Sequence, residues 1–384
     1  MRRGLALALA AALAGASPVA AAYPVGLGAT PPLVWRASSQ SPEPEPRASD
    51  PLYPLCGEPD SALVQVAARN AGKQLRGEPH FASDELAFNL RAAGSPHVWP
   101  RAWSIEGKAL DEEDLAKRLG GWAKDMKVLG QRRCGVTRMR RADGTVIVSV
   151  VTVDALADQR RMPTLARVGE WIELRGKMLV PATEVKVVLL GPRGLPRTVL
   201  ASLTGDEVRA TFSVDQPGPW LIQVLATVST GPRPVLEAYV HAGSAPPLRF
   251  AESPAPGEDA GKDEKSEPAI IRAMLNAARA TEGLKPLASD PTLDQLAAEH
   301  SAKMMATRTV GHDVGDGDPS ARLRAAGVSY RSSGENVAGA ASLPRAHRAL
   351  WASPSHRRNV LESRSSRIGV GLSRRHDCRV WVSG

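Results

Sequence analysis

Cysteine is scarce in this sequence, with three residues in 384, too few to frame a disulfide-rich miniprotein or a multi-cysteine zinc module. Aromatic side chains are also few, at Trp 8, Tyr 4 and Phe 4. No uncharged apolar run reaches the roughly 20 residues that a membrane-spanning helix requires. Helix-turn-helix, finger and aromatic-bearing sheet motifs are missing, so a balance of 49 Lys+Arg against 40 Asp+Glu does not indicate specific nucleic-acid binding. What is present is globular in composition: 43% hydrophobic and 23% charged residues exclude wholesale disorder. A chain of this length predicts two or three domains rather than one core.

The first 22 residues have the three parts of a secretory signal: Arg2 and Arg3, an apolar run from Leu5 to Ala14, and small residues ending at Ala22. Cleavage there predicts a secreted or periplasmic protein; an uncleaved N-terminal anchor is the alternative. The first cysteine is Cys56, so no lipid-attachment residue follows the cleavage point. In an oxidising compartment Cys56 and Cys134 are one candidate pair, leaving Cys378 odd, and spacing leaves the connectivity open.

Residues 23–51, with Ser41-Pro-Glu-Pro-Glu-Pro46, read as an extended linker, and residues 244–268 as a disordered one. From Asp60 to about Leu129 apolar residues recur at helical spacing, followed by strand-like runs at Cys134–Met139 and Thr145–Val153, which predicts an α/β domain over 52–157. Residues 158–243 break into short β-branched runs separated by Gly, Pro or Asp turns, predicting an all-β sandwich of immunoglobulin-like type with a spacer or binding role. The block 269–384 carries amphipathic helices and then strands at Arg367–Leu372 and Arg379–Val382, an α/β unit with helices over a small sheet. The expected class is therefore α+β and multidomain.

The last block also carries a series of motifs. In order they are Asn276-Ala-Ala-Arg279, Gly283-Leu-Lys-Pro-Leu287, Ala298 to Met304, Gly311-His312, Arg322-Leu-Arg-Ala-Ala-Gly327, Gly334-Glu-Asn336, Trp351 to Ser353, His356-Arg-Arg-Asn359 and Arg367-Ile-Gly-Val-Gly371. Together they resemble the bacterial branch of the CAP superfamily, also called SCP, which includes cysteine-rich secretory and pathogenesis-related proteins. The resemblance implies an α-β-α sandwich with a surface cleft lined by histidines and acidic residues. Carried over by motif, these are His312, Glu335 and His356. The fourth, acidic member found in many relatives has no counterpart, since Pro354 stands three residues beyond Trp351.

Two neutral imidazoles converging on one pocket are donors suited to Zn²⁺ or another divalent cation, with water completing the shell. Glu335 could orient a histidine or act as a general base. No nucleophilic Ser or Cys sits in a recognisable motif; Ser353 and Ser355 read as helix-terminal hydrogen-bonding residues. His300 shares an apolar face with Leu296 and Met304 and reads as a satisfied core histidine, His347 as a surface residue, and Trp351, Asn336 and Asn359 as structural. The family's range of activities leaves the function open between a non-catalytic binding module at the cell envelope and a metal-dependent, peptidase-like hydrolase. The first is the preferred reading.

Charge is unevenly placed. Residues 23–268 hold 30 basic and 30 acidic side chains, whereas residues 269–384 hold 17 and 10. The excess includes an arginine-rich strip, Arg357, Arg358, Arg364, Arg367, Arg374, Arg375 and Arg379, which suits an anionic envelope component, lipid or cell-surface partner. Finally, Asp60 to Lys73 aligns with Asp290 to Lys303, and Leu90-Arg-Ala-Ala-Gly94 repeats Leu323-Arg-Ala-Ala-Gly327. These repeats raise the expectation of a degenerate CAP-like copy over 52–157, with His80 near the position of His312 but nothing matching Glu335 or His356. Two unrelated helical segments in an alanine-rich chain would be the alternative.

Overall fold

The computed structural model describes residues 26–27, 33–38, 50–374 and 380–383. The expected signal segment, Cys378, Arg375 and Arg379 lie outside the described residues, as does most of 23–51.

The N-terminal domain runs β1 (Gly26–Leu27), α1 (Tyr53–Cys56), β2 (Glu58–Pro59), α2 (Ser61–Leu75), α3 (Ser83–Ala92), β3 (Arg101–Gly107), α4 (Glu112–Lys124), β4 (Gln131–Arg140) and β5 (Val146–Ala155). Its sheet has the order β1-β4-β5-β3, with β2 also pairing β4. The run from Val146 to Ala155 is almost wholly buried because helices cover both faces. Val151 and Val153 pack under α2 and α3, while Val148 and Val150 pack under α1 and α4. Cys56 and Cys134 form a disulfide in the second of these cores. Helix α2 starts at Asp60, whose carboxylate accepts from the backbone N–H groups of Ala62 and Leu63 at 2.9 and 3.0 Å. Strand β3 corrects the expectation of a helical stretch as far as Leu129. Trp103 and Ile105 alternate toward the disulfide core and Ala102 toward the α2 side, and the strand pairs antiparallel with β5.

The central domain comprises β6 (Ala157–Gln159), β7 (Leu165–Ala166), β8 (Glu170–Met178), β9 (Glu184–Leu190), β10 (Arg197–Val199), β11 (Ala201–Thr204), β12 (Glu207–Val214), β13 (Gly218–Val228) and β14 (Gly231–Ala242). Two sheets, ordered β10-β9-β13-β14-β7 and β11-β12-β8-β6, enclose one core that includes Phe212, Trp220, Ile222 and Val224. The outward positions of β13 and β14 are also covered: Leu221, Gln223, Glu237 and His241 are buried. That second burial explains why Trp220 to Val228 reads as a near-continuous apolar run rather than an alternating one.

The C-terminal domain follows as α5 (Glu267–Thr281), β15 (Ala288–Ser289), α6 (Pro291–Thr307), α7 (Pro319–Ala325), β16 (Val337–Ala340), α8 (Leu343–Ala352), α9 (Pro354–Val360), β17 (Arg367–Ile368), β18 (Gly371–Arg374) and β19 (Val380–Ser383). The sheet β16-β19-β18 is antiparallel, and β15 pairs parallel with β17. Helices α5 and α8 pack on one side through Ile271, Met274, Leu275 and Ala346. Helix α6 lies on the other so closely that a Cβ on Gly371 would come within 2.0 Å of its backbone. Arg279 is buried, and its guanidinium donates to the carbonyls of Lys285, Val360 and Glu362, tying α5 to the end of α9.

Both expected linkers need correction where they are described. Residues 244–268 lie against the C-terminal helices: Gly257 abuts Met274 and Ala277, and Arg348 pairs with Glu252 and Glu258. In the segment 33–38, Trp35 packs edge-on to Phe88, Tyr239 and His241 and donates to the Pro247 carbonyl at 2.8 Å. Pro- and charge-rich composition pointed to free chain, but a single large aromatic or a few ion pairs suffices to strap such a segment down. No helix among the described residues is long and apolar enough to cross a membrane.

Candidate functional site

His312 lies in the loop between α6 and α7. The loop is anchored by His300 on α6, which is fully buried, with Nε2 donating to the Gly311 carbonyl at 2.9 Å and Nδ1 paired to Asp316 at 2.7 Å. His300 is thus a partnered core histidine, although its Nε2 also stands 3.9 Å from Glu335 Oε1. Glu335 sits on the turn before β16, and His312 Nδ1 meets its Oε1 at 2.8 Å. Arg322 on α7 takes the other carboxylate oxygen and also donates to the His312 carbonyl at 2.9 Å. Burial pushes the Glu335 carboxyl up, but the hydrogen bond from His312 and the adjacent Arg322 cation outweigh it and hold the carboxyl below its ordinary value.

His356 reaches the same place from α9. Asn336 Nδ2 donates to the His356 carbonyl at 3.0 Å, and Asn359 Nδ2 donates to the Glu335 carbonyl at 3.2 Å and to Asn336 Oδ1 at 2.9 Å. The two amides therefore clamp the Glu335 turn to the histidine-bearing helix. Burial pushes the His356 imidazole down to about 4, and neighbouring His312 adds to the shift. His312, Glu335, Ser355, His356, Arg358 and Asn359 all line one pocket of about 200 Å³. The structure thus brings together the three residues singled out by motif.

Other expectations change. His347 is fully buried, not at the surface, with Nε2 donating to the Pro256 carbonyl at 2.8 Å. Its place on the inner face of α8 is not legible from sequence, because its partner Pro256 lies 91 residues away in a segment of linker-like composition. Ser353 does not cap α9 through its side chain; Gln223 of the central domain instead accepts from the Ser355 N–H at 3.1 Å. The arginine strip is not a free one: Arg357 stacks on Trp351 with 4.3 Å to the ring centroid, and Arg364, Arg367 and Arg374 pair with Glu362, Asp290 and Glu267. Arg358 is exposed, with no ion pair among the described residues. Arg322 is not legible as a site residue from sequence, because it lies 13 positions from Glu335 in a stretch that looks like a helix terminus.

A zinc site fits these residues poorly. Both Glu335 oxygens are engaged, and among the described residues no group of three or more His, Cys, Asp or Glu side chains is placed to hold a metal ion. What remains is a pocket with two imidazoles, an amide, a hydroxyl and an exposed guanidinium, able to hydrogen-bond a small ligand.

Residues 272–383 match the model of the cysteine-rich secretory protein family, CAP. The C-terminal domain is a bacterial CAP domain. Over 100 residues the chain is 35% identical to the uncharacterized protein YkwD of Bacillus subtilis (strain 168), covering 26% of this chain and 39% of that relative. The chain thus spans well under half of that relative's length. Among solved structures, an outer surface protein from Borrelia burgdorferi is 25% identical, with 32% of this chain and 92% of that one covered and a TM-score of 0.30. An extracellular protein containing a SCP domain from Bacillus anthracis str. Ames is 17% identical, with 58% and 87% covered and a TM-score of 0.28.

Proposed function

We propose that this chain is a secreted binding protein of the bacterial envelope, in which the CAP cleft holds a small ligand without transforming it. The observation that carries this reading is the state of Glu335. A general base needs an oxygen available to the substrate or to an attacking water. Glu335 instead spends one oxygen on His312 and the other on Arg322, and its carboxyl is held below the ordinary range. It acts as a strut that fixes the His312 ring, leaving Nε2 as that ring's remaining nitrogen.

On the same reading the N-terminal signal exports the chain, the immunoglobulin-like sandwich joins the outer domains, and residues 52–157 are a CAP-like copy that has lost the cleft residues. Zn²⁺ at His312 and His356 would have only two protein nitrogens, so uptake by the full chain is expected to be weak in calorimetry.

The test is retention of small molecules from envelope extract by the purified full chain. His312→Ala combined with His356→Ala should reduce retention at least tenfold while the circular dichroism spectrum is kept. Turnover of casein or cell-wall material that vanishes in Glu335→Gln would overturn the binding reading in favour of a hydrolase.

A further inference from the structure

The CAP cleft does not open to solvent on all sides. Its pocket is walled by the central domain, through Glu184 and Lys186 on β9, Thr227 on β13, and Pro232 and Pro234 on β14. The β13–β14 turn reaches the site itself: a Cβ on Gly231 would lie 3.9 Å from His312 Cβ.

A buried polar chain fixes this docking. Gln223 is fully buried on the outer face of β13. It donates to Glu237 at 2.6 Å and to Ser353 Oγ at 3.3 Å, and accepts from the Ser355 N–H at 3.1 Å. Glu237 in turn pairs with Arg91 of the N-terminal domain. The chain therefore crosses all three domains and ends one residue from His356. An amide buried without these partners would leave its donor and acceptor unsatisfied, so the docked arrangement is specified rather than incidental.

The charges around the pocket are unequal. Glu335 is neutralised by Arg322, and Glu184 by Lys186 at 2.9 Å, with both members of that pair about half exposed at 55% and 51%. Arg358 remains, with no ion pair among the described residues. The excess is positive, and Lys186 on an exposed pair can swing to a ligand at little expense.

We propose that the ligand site is composite: the central domain and the CAP domain together hold a small molecule bearing an oxyanion, carboxylate or phosphate, between Lys186 and Arg358. This rests on the binding reading above and narrows it to an anionic ligand small enough for a pocket of about 200 Å³ walled on two sides, rather than a polymer or folded protein.

Calorimetry on the full chain with citrate in one arm and inorganic phosphate in the other separates the two oxyanion sources. At least one probe should bind, and Lys186→Glu and Arg358→Glu should each weaken it tenfold or more; both residues are surface-exposed, so folding is preserved, and Lys186→Gln should give a smaller loss. Loss in Arg358→Glu with unchanged binding in Lys186→Glu would overturn the composite site. Failure of both probes with the unaltered chain would overturn the oxyanion assignment. Envelope-extract retention does not require an oxyanion, so it reports separately on the binding reading.

Discussion

The N-terminal and C-terminal domains share a plan and differ in chemistry. In each, a two-residue strand pairs parallel with the start of a later strand, Glu58 with Arg133 and Ala288 with Arg367. Each strand leads into a helix capped by an aspartate, Asp60 or Asp290, whose N–H donates to Cys134 or Ile368. Each helix is seated on a glycine: a Cβ on Gly135 would come within 2.1 Å of Leu63, and one on Gly369 within 2.1 Å of Leu293. The antiparallel orders β4-β5-β3 and β18-β19-β16 also correspond. Ten residues beyond the capping aspartate, however, stands Asn70 in one helix and His300 in the other, both fully buried. Asn70 bonds to the hydroxyls of Ser104 and Ser149, whereas His300 supports the loop that carries His312. The N-terminal helix thus stands on a neutral amide and hydroxyl network, the C-terminal one on an imidazole that anchors a loop.

The largest test of this comparison is covalent. The N-terminal domain closes a separation of 78 residues with Cys56–Cys134, while among the described residues of the CAP domain the buried Arg279 holds the loops through backbone carbonyls. Replacing both cysteines by serine should cost about 4.5 kcal/mol on the chain-entropy account. Denaturant unfolding should show the loss in an N-terminal transition only; an equal shift of the CAP transition would mean that the domains unfold as one unit.

The glycine seats come next. Gly135→Ala and Gly369→Ala each drive a methyl into helix backbone, with an expected cost of about 3 kcal/mol apiece. Comparable melting shifts would sharpen the likeness. A neutral Gly135→Ala beside a damaging Gly369→Ala would break it, since the two helix-on-strand contacts would not then be equivalent.

The matched aspartates Asp60 and Asp290 and the repeated Leu-Arg-Ala-Ala-Gly endings are legible in sequence because they are local signals. His312, Glu335 and His356, expected through the family resemblance, line one pocket. What escaped depended on partners distant in the chain. Arg322 becomes a site residue only when α7 folds beside the Glu335 turn, His347 is buried only because 244–268 packs down, and the wall of the cleft comes from strands some 100 residues earlier, as Gln223 and Ser355 show with a separation of 132. Periodicity likewise could not separate the lone strand β3 from the helices around it.

A smaller difference concerns acid. His97 in the N-terminal domain is buried, and desolvation, with Arg133 beside it, pushes its imidazole from the ordinary 6.5 down to about 4. A depressed histidine favours the fold while neutral, so its contribution is intact above pH 6.5, falls as the pH drops toward 4, and levels off below. One pH unit below 6.5 the loss is about 1.4 kcal/mol at most. His97→Asn should flatten the decline of the N-terminal melting temperature between pH 7 and 5. The CAP domain should keep its own decline from His356, which is pushed down to about 4 as well. An unaltered N-terminal pH slope in His97→Asn would remove the assignment.

The finest distinction lies in the two caps. Asp60 is buried, and Asp60→Ala leaves the Ala62 and Leu63 N–H groups without a partner or easy access to water, at about 1 kcal/mol. Asp290 makes the matching bonds at 3.0 and 3.3 Å, but it is partly exposed and spends its second oxygen on Arg367 at 2.6 Å. Water can replace much of what Asp290→Ala removes, so that substitution should shift melting less. Asp60→Asn and Asp290→Asn keep the acceptor and should restore most of each loss. Amide hydrogen exchange at the first turns of α2 and α6 reads the caps directly. Faster exchange in both alanine variants, with the larger stability loss at Asp60, would mean one device set at two depths; faster exchange at α6 alone would mean that α2 is held by its buried face and that the shared aspartate is coincidence.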